Sequence, residues 1–167
     1  RSQTVTGVQT CALPISWIHL AEAALLSNRA SQARTSVGGT GSIQSGIVHQ
    51  IQILYDSVHQ GRANCATTIP ALEFNREVLL EEQAAIADAW GITTTEQSPE
   101  EKAKALTDEI ESFLSANGLP TDLEALGIPK DDIPEIAEKA MQDYFLQTNP
   151  REVTETAELE ALLESAW

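Results

Sequence analysis

Cysteines and long hydrophobic runs are scarce in this sequence, and their scarcity argues against two classes of protein. The chain of 167 residues has only two cysteines, Cys11 and Cys65. That number gives no disulfide framework and suits the reducing environment of the cytoplasm. No apolar run approaches the roughly 20 residues that a membrane-spanning helix needs. We therefore expect a cytoplasmic protein without a membrane partner.

Basic side chains are also few, with 10 Lys and Arg against 25 Asp and Glu, and the formal net charge is −15. The imbalance lies in the later part of the chain, because residues 73–167 carry 23 acidic and 6 basic side chains. A field of this sign repels a phosphate backbone, so no nucleic-acid partner is expected. The simplest explanation of the charge is a set of solvated helix faces.

Aromatic residues make up only 5% of the chain, whereas alanine, leucine and glutamate are abundant, a balance that favours helices over strands. The length is that of about one domain with one sizeable core. Apolar periodicity predicts an all-α bundle of about seven helices with short connections. The longer predicted helices cover residues 17–34, the stretch from residue 46, and residues 63–74, 76–90 and 99–116.

Local signals give the expected helix ends. The predicted starts each have a capping side chain, an early proline or both, and they are Ser98-Pro99, Thr121 with Glu124, Asp131-Asp132 with Pro134, and Thr154. Gly91, Asn117-Gly118 and Gly127 are predicted ends. The glycine cluster at residues 36–42 is expected to form a flexible connector. It lacks the lysine of a phosphate-binding loop, and no strand precedes it.

Two of the three histidines, His49 and His59, lie in one apolar stretch, residues 46–64. Imidazole is the commonest transition-metal ligand in proteins, so the pair suggests a metal site. On one unbroken helix the two side chains would lie about 15 Å apart, too far to share an ion. We expect a break at Asp56-Ser57, whose side chains compete for backbone hydrogen bonds, with His59 on a loop returning towards His49. The alternative is that both histidines are ordinary core or surface residues.

The first sixteen residues have neither helical nor strand periodicity. Residues 7–16 resemble translated sequencing-adapter read-through, so we expect residues 1–16 to be non-native and the natural protein to continue upstream. A short secretory signal is the rival interpretation. It is disfavoured because only Arg1 supplies charge and the apolar core is too short.

Three segments resemble the helical C-terminal domain of the iron-containing alcohol dehydrogenase family. They are Gly46-Ile47-Val48-His49 with His59, Gly61 and Asn64; residues 69–75; and the run from Leu126 through Asn149-Pro150-Arg151 to Thr154. The resemblance implies a dehydroquinate-synthase-like fold, with residues 17–167 as the metal-binding domain and the nucleotide-binding domain absent from this chain. An apolar face without that domain predicts self-association into a homo-oligomer.

The resemblance also implies a chemistry. In that family a small alcohol or aldehyde exchanges hydride with NAD(P), and Fe(II) or Zn(II) polarises the substrate oxygen. An aspartate and three histidines hold the ion, and these ligands correspond to Ile15, His19, His49 and His59. The aspartate position is therefore lost. His49 is also the candidate catalytic residue, since a second alignment makes it the family's non-ligand active-site histidine and leaves Ser45 at the ligand position.

Two departures from the family pattern keep other functions open. The spacing from His49 to His59 is about one helical turn shorter than usual, and Gln60 separates His59 from Gly61. One alternative is a catalytically silent helical scaffold that descends from this domain. Another is a zinc-dependent relative of glycerol dehydrogenase.

Overall fold

The computed structural model describes residues 41–167, and all regular structure in this range is helical. The predicted all-α fold is therefore confirmed for these residues, while the predicted helix at 17–34 and His19 lie outside them. The α-helices are α1 (Gly41–Leu54), α2 (Gln60–Trp90), α3 (Pro99–Ala116), α4 (Ile133–Ala140) and α5 (Thr156–Ser165), and short 3-10 helices cover Glu124–Leu126, Lys130–Asp132 and Tyr144–Thr148. None of these helices combines the length and hydrophobicity needed to cross a bilayer.

The long helix α2 is the centre of the described structure and separates two apolar clusters. Its first half packs against α1 and α5, in a cluster to which α4 also contributes side chains. The largest fully buried side chains of that cluster are Ile43, Ile47, Ile51, Leu123, Ile128, Ile133, Ile136, Leu159 and Leu163. The second cluster lies between α2 and α3 and contains Cys65, Leu72, Ile86, Ala87, Leu106, Ile110 and Leu114.

Helix α2 corrects the prediction of two helices separated near Asn75. One helix runs through this position, with Pro70 inside it, and the irregular backbone comes at Leu79, where φ is −126° and ψ is 25°. Across this kink the buried Gln83 side chain donates a hydrogen bond to the Leu72 carbonyl at 2.8 Å. The Gln83 side chain thus hydrogen-bonds a carbonyl on the other side of the kink, and the two halves of α2 form one kinked helix.

The predicted bounds of α3 are confirmed at both ends. The Ser98 hydroxyl accepts a hydrogen bond from the Glu101 N–H at 3.2 Å, and the Glu101 carboxylate accepts one from the Ser98 N–H at 2.7 Å. This reciprocal pair satisfies backbone donors that the helix itself leaves without partners. At the other end Gly118 takes a left-handed φ of +65°, which costs glycine little.

Two predicted caps and one end of a predicted connector are wrong in their details. Thr121 does not form the capping box, because Asp122 accepts from the Ala125 N–H at 2.7 Å instead. The last helix is capped by Glu155 rather than Thr154. Gly41 and Ser42 were predicted to be part of a connector, but they already belong to α1, and the rest of that cluster lies outside the described residues.

Asp132 occupies the predicted cap position of α4, but its side chain makes no capping bond. It accepts a hydrogen bond from the Tyr55 hydroxyl instead. Burial and this contact with the Asp132 carboxylate raise the pKa of Tyr55 to about 12. The pair ties the turn after α1 to the start of α4.

Candidate functional site

The chain breaks between the two histidines, as the sequence predicted. Helix α1, which carries His49, ends at Leu54, and residues 55–58 form a turn in which the Val58 N–H donates to the Tyr55 carbonyl at 3.0 Å. Asp56 and Ser57 are exposed in this turn. His49 therefore lies within α1, and His59 lies on the other side of the break, immediately before α2.

His59 is the N-cap of α2. Its backbone is extended, with φ −74° and ψ 133°, and its Nδ1 accepts a hydrogen bond from the Gly61 N–H at 3.1 Å. The side chain is exposed and does not line the pocket beside His49. In this structure His59 therefore satisfies one of the backbone donors at the start of α2.

His49 lines an open pocket of about 400 Å³ between α1 and the segment that follows α4. The side chain of His49 is 37% exposed, so its imidazole reaches this space. The other lining residues are Gln50, Lys139, Gln142, Asp143, Tyr144 and Phe145. With His49, the lining thus contains one imidazole, one carboxylate, one lysine, two side-chain amides and two aromatic rings.

Asp143 connects several lining residues of this pocket through polar contacts. Its Oδ2 lies 3.2 Å from His49 Nδ1 and accepts from Gln50 Nε2 at 3.2 Å. Its Oδ1 accepts from the Phe145 N–H at 2.9 Å, a bond that caps the helix Tyr144–Thr148. The Phe145 ring then meets the His49 ring edge-on, with the centroids 5.3 Å apart. Asp143 lies 94 residues from His49 and carries no local signal of its own, so its place in the site could not be predicted from the sequence.

The described residues do not by themselves fit the metal that the resemblance implies. Zinc and iron centres need three or four protein ligands. Within residues 41–167 no three side chains of His, Cys, Asp or Glu converge in a group that could hold an ion. His19 lies outside this range. The ligand set His19, His49 and His59 stays a prediction.

Comparison with known proteins decides the family. Residues 33–167 match the family described as Fe-containing alcohol dehydrogenase family, C-terminal. The chain belongs to this family of alcohol and aldehyde oxidoreductases. The predicted resemblance is therefore confirmed.

Individual proteins that resemble this chain are consistent with its membership of the Fe-containing alcohol dehydrogenase family. Lactaldehyde reductase of Escherichia coli (strain K12) is 29% identical over 122 residues, which are 73% of this chain and 31% of that protein. Choline dehydrogenase of Bacillus subtilis (strain 168) is 32% identical over 120 residues, which are 70% of this chain and 30% of that protein. A crystal structure of 1,3-propanediol oxidoreductase superposes with a TM-score of 0.71 and 28% identity, covering 75% of this chain and 32% of that one. The chain thus spans about a third of the length of these relatives.

Proposed function

We propose that this chain acts as the C-terminal helical domain of a cytoplasmic, nicotinamide-dependent oxidoreductase of small alcohols or aldehydes. The observation that carries the proposal is the family match over residues 33–167, within which His49 lines a pocket. Relatives named for lactaldehyde and 1,3-propanediol support a small substrate. In such an enzyme NAD(P) would be bound by a separate nucleotide-binding domain, and the whole would form a homo-oligomer.

The proposed role of His49 is to handle the substrate proton. Oxidation of an alcohol releases a hydride from carbon, which is the nicotinamide's part of the chemistry, and a proton from the hydroxyl group. A neutral imidazole can accept this proton near pH 7 and return it during aldehyde reduction. The Phe145 ring contacts the His49 ring edge-on, and the imidazole remains open to the pocket on its exposed side.

In a second assignment within this proposal, His49 binds Fe(II) or Zn(II) together with His19 and His59 instead of accepting the substrate proton, because an imidazole whose Nδ1 contacts Asp143 has only Nε2 left for one of the two roles. Residues 41–167 alone supply too few ligands to hold this ion. Titration of the whole chain with ferrous iron and with zinc, under reducing conditions, tests the ligand set. Stoichiometric binding that disappears in the His49→Ala, His59→Ala double variant would support it. Binding that the double variant retains would remove both histidines from the set.

A catalytically silent scaffold is the second candidate. It is favoured by the capping role of His59 and by the lack of a three-ligand group within residues 41–167. It requires only that the apolar clusters and helix contacts persist. A zinc-dependent relative of glycerol dehydrogenase would share the fold with the first candidate and differ in its metal.

A hybrid enzyme separates the candidates. In this hybrid, residues 41–167 replace the superposable third of 1,3-propanediol oxidoreductase, so that the relative supplies the remaining part. The measurement is NADH- or NADPH-dependent reduction of short aldehydes, with the relative lacking its C-terminal third as the control. Aldehyde reduction by the hybrid supports the oxidoreductase proposal. A folded hybrid that binds the nicotinamide but reduces no aldehyde supports the scaffold.

A further inference from the structure

We propose that Asp143 is a positioning residue that fixes the tautomer and the ring orientation of His49. In this arrangement His49 keeps its proton on Nδ1, towards Asp143, and offers Nε2 as an unprotonated acceptor. The catalytic value of this arrangement rests on the proposed function. The tautomer itself does not, and it can be measured in the isolated chain.

The hydrogen bonds around Asp143 determine which nitrogen carries the proton. A carboxylate has only acceptors to offer, and two other donors, Gln50 Nε2 and the Phe145 N–H, already point at the two oxygens of Asp143. The 3.2 Å contact with His49 is therefore made by an Nδ1–H group. A neutral imidazole carries one proton, so Nε2 of His49 is left as the acceptor.

The same contacts fix the orientation of the ring. The side chain of Asp143 is only 11% exposed, and each of its oxygens has its own donor from the protein. Phe145, which lies in the short helix Tyr144–Thr148 that Asp143 caps, adds an edge-on ring contact to His49. A base held in this way loses less orientational freedom when it meets a substrate than a base on an unsupported side chain.

His59 provides an internal reference of the opposite tautomer. Its Nδ1 accepts a hydrogen bond from the Gly61 N–H at 3.1 Å, so its proton must lie on Nε2. The chain has only three histidines, which makes a spectrum of selectively labelled imidazoles simple to assign. One sample thus contains the predicted Nδ1–H ring and the predicted Nε2–H ring together.

The test is nitrogen NMR of the chain labelled with ¹⁵N in its histidine rings, at a pH about two units above the ordinary histidine pKa of about 6.5. His49→Gln and His59→Gln assign the signals. We expect a protonated Nδ1 for His49 and a protonated Nε2 for His59. An Nε2–H ring for His49 in the unmodified chain would overturn the proposal.

Variants of Asp143 test whether its carboxylate determines the tautomer of His49. Asp143→Asn keeps an oxygen that can cap the Phe145 N–H, but its amide can donate to His49 Nδ1, so we expect the His49 proton to move to Nε2. Asp143→Ala removes the acceptor and should give the same direction of shift. Gln50→Ala, which removes the other side-chain donor to Asp143, should leave the His49 tautomer unchanged. Unchanged His59 signals verify folding, and an Nδ1–H ring for His49 in both Asp143 variants would overturn the proposal.

The hybrid enzyme tests whether the positioning of His49 by Asp143 affects catalysis. We expect Asp143→Asn to lower kcat by about 10–100-fold, the usual effect of removing a carboxylate that orients a functional histidine, with a smaller change in KM. An active hybrid that keeps its kcat in Asp143→Asn would overturn the positioning role. If the unmodified hybrid is inactive while the NMR tautomers are as expected, the proposed function fails and the orientation of His49 by Asp143 stands.

Discussion

Replacing Asn149 with alanine should destabilise the described domain strongly, because its amide joins the C-terminal segment to α2. The Nδ2 of Asn149 donates to Asn75 Oδ1 and to the Arg151 carbonyl, each at 2.7 Å, and its Oδ1 accepts from Asn75 Nδ2 at 3.1 Å. Asn75 is completely buried and Asn149 is 9% exposed. The pair anchors the end of the short helix Tyr144–Thr148, whose first residues flank His49.

The size of the expected loss in the free energy of unfolding follows from the number of hydrogen bonds that Asn149 makes. A net contribution of about 0.5–1.5 kcal/mol for each of the three hydrogen bonds gives an expected loss of about 1.5–4.5 kcal/mol for Asn149→Ala. This is a large share of the about 5–15 kcal/mol by which domains are usually stable. Equilibrium unfolding in urea, followed by far-ultraviolet circular dichroism, measures the change in the free energy of unfolding. Gln147→Ala, at an exposed amide in the same short helix, should cost about 0.5 kcal/mol or less.

A double-mutant cycle makes the test specific to the pair. Two of the three bonds are shared by Asn75 and Asn149, so the double alanine variant should cost about 1–3 kcal/mol less than the sum of the single variants. Additive losses would show that the two amides do not stabilise each other, and would refute the expected coupling.

Three further changes test separate parts of the structure. Ile47→Ala should lower the free energy of unfolding by about 2–5 kcal/mol, since the side chain is completely buried, and a loss below about 1 kcal/mol in urea unfolding would contradict this packing. Ser98→Ala should cost about 1 kcal/mol in the same assay by removing the N-cap of α3, and no loss would contradict the capping role. The Thr154 and Glu155 N–H groups lower the pKa of Glu158, so its stabilising effect is present above the pKa of the unfolded chain and is lost as pH falls through the lowered folded pKa. The stability difference between the unmodified chain and Glu158→Gln should therefore close on acidification, and a difference independent of pH would contradict this.

Features set by neighbouring residues were predictable from the sequence. The bounds of α3 follow from Ser98-Pro99 and Asn117-Gly118, whose capping bonds reach only a few residues. The break between His49 and His59 was also predicted, because Asp56-Ser57 favours a turn locally. The all-α fold follows from composition and periodicity in the same way.

Features set by distant contacts were not predictable from the local pattern. The continuity of α2 involves Gln83 reaching back to Leu72, and Asp132 bonds Tyr55, 77 residues away, instead of capping α4. Asp143 shows the same effect at the site, because only the packing of α1 against the helix Tyr144–Thr148 brings it to His49. The periodicity of a single segment carries no information about such partners.

The most direct test of the proposal that His49 forms the functional site is the activity of its alanine variant in the hybrid enzyme. Ile53→Ala is the matched control, because Ile53 lies one turn further along α1, is 67% exposed and does not line the pocket. We predict that His49→Ala lowers kcat/KM for aldehyde reduction by about 10²–10⁴-fold, the usual contribution of a general acid or base, while Ile53→Ala keeps it. An active hybrid in which His49→Ala retains the kcat/KM of the unmodified hybrid would contradict a functional site at His49.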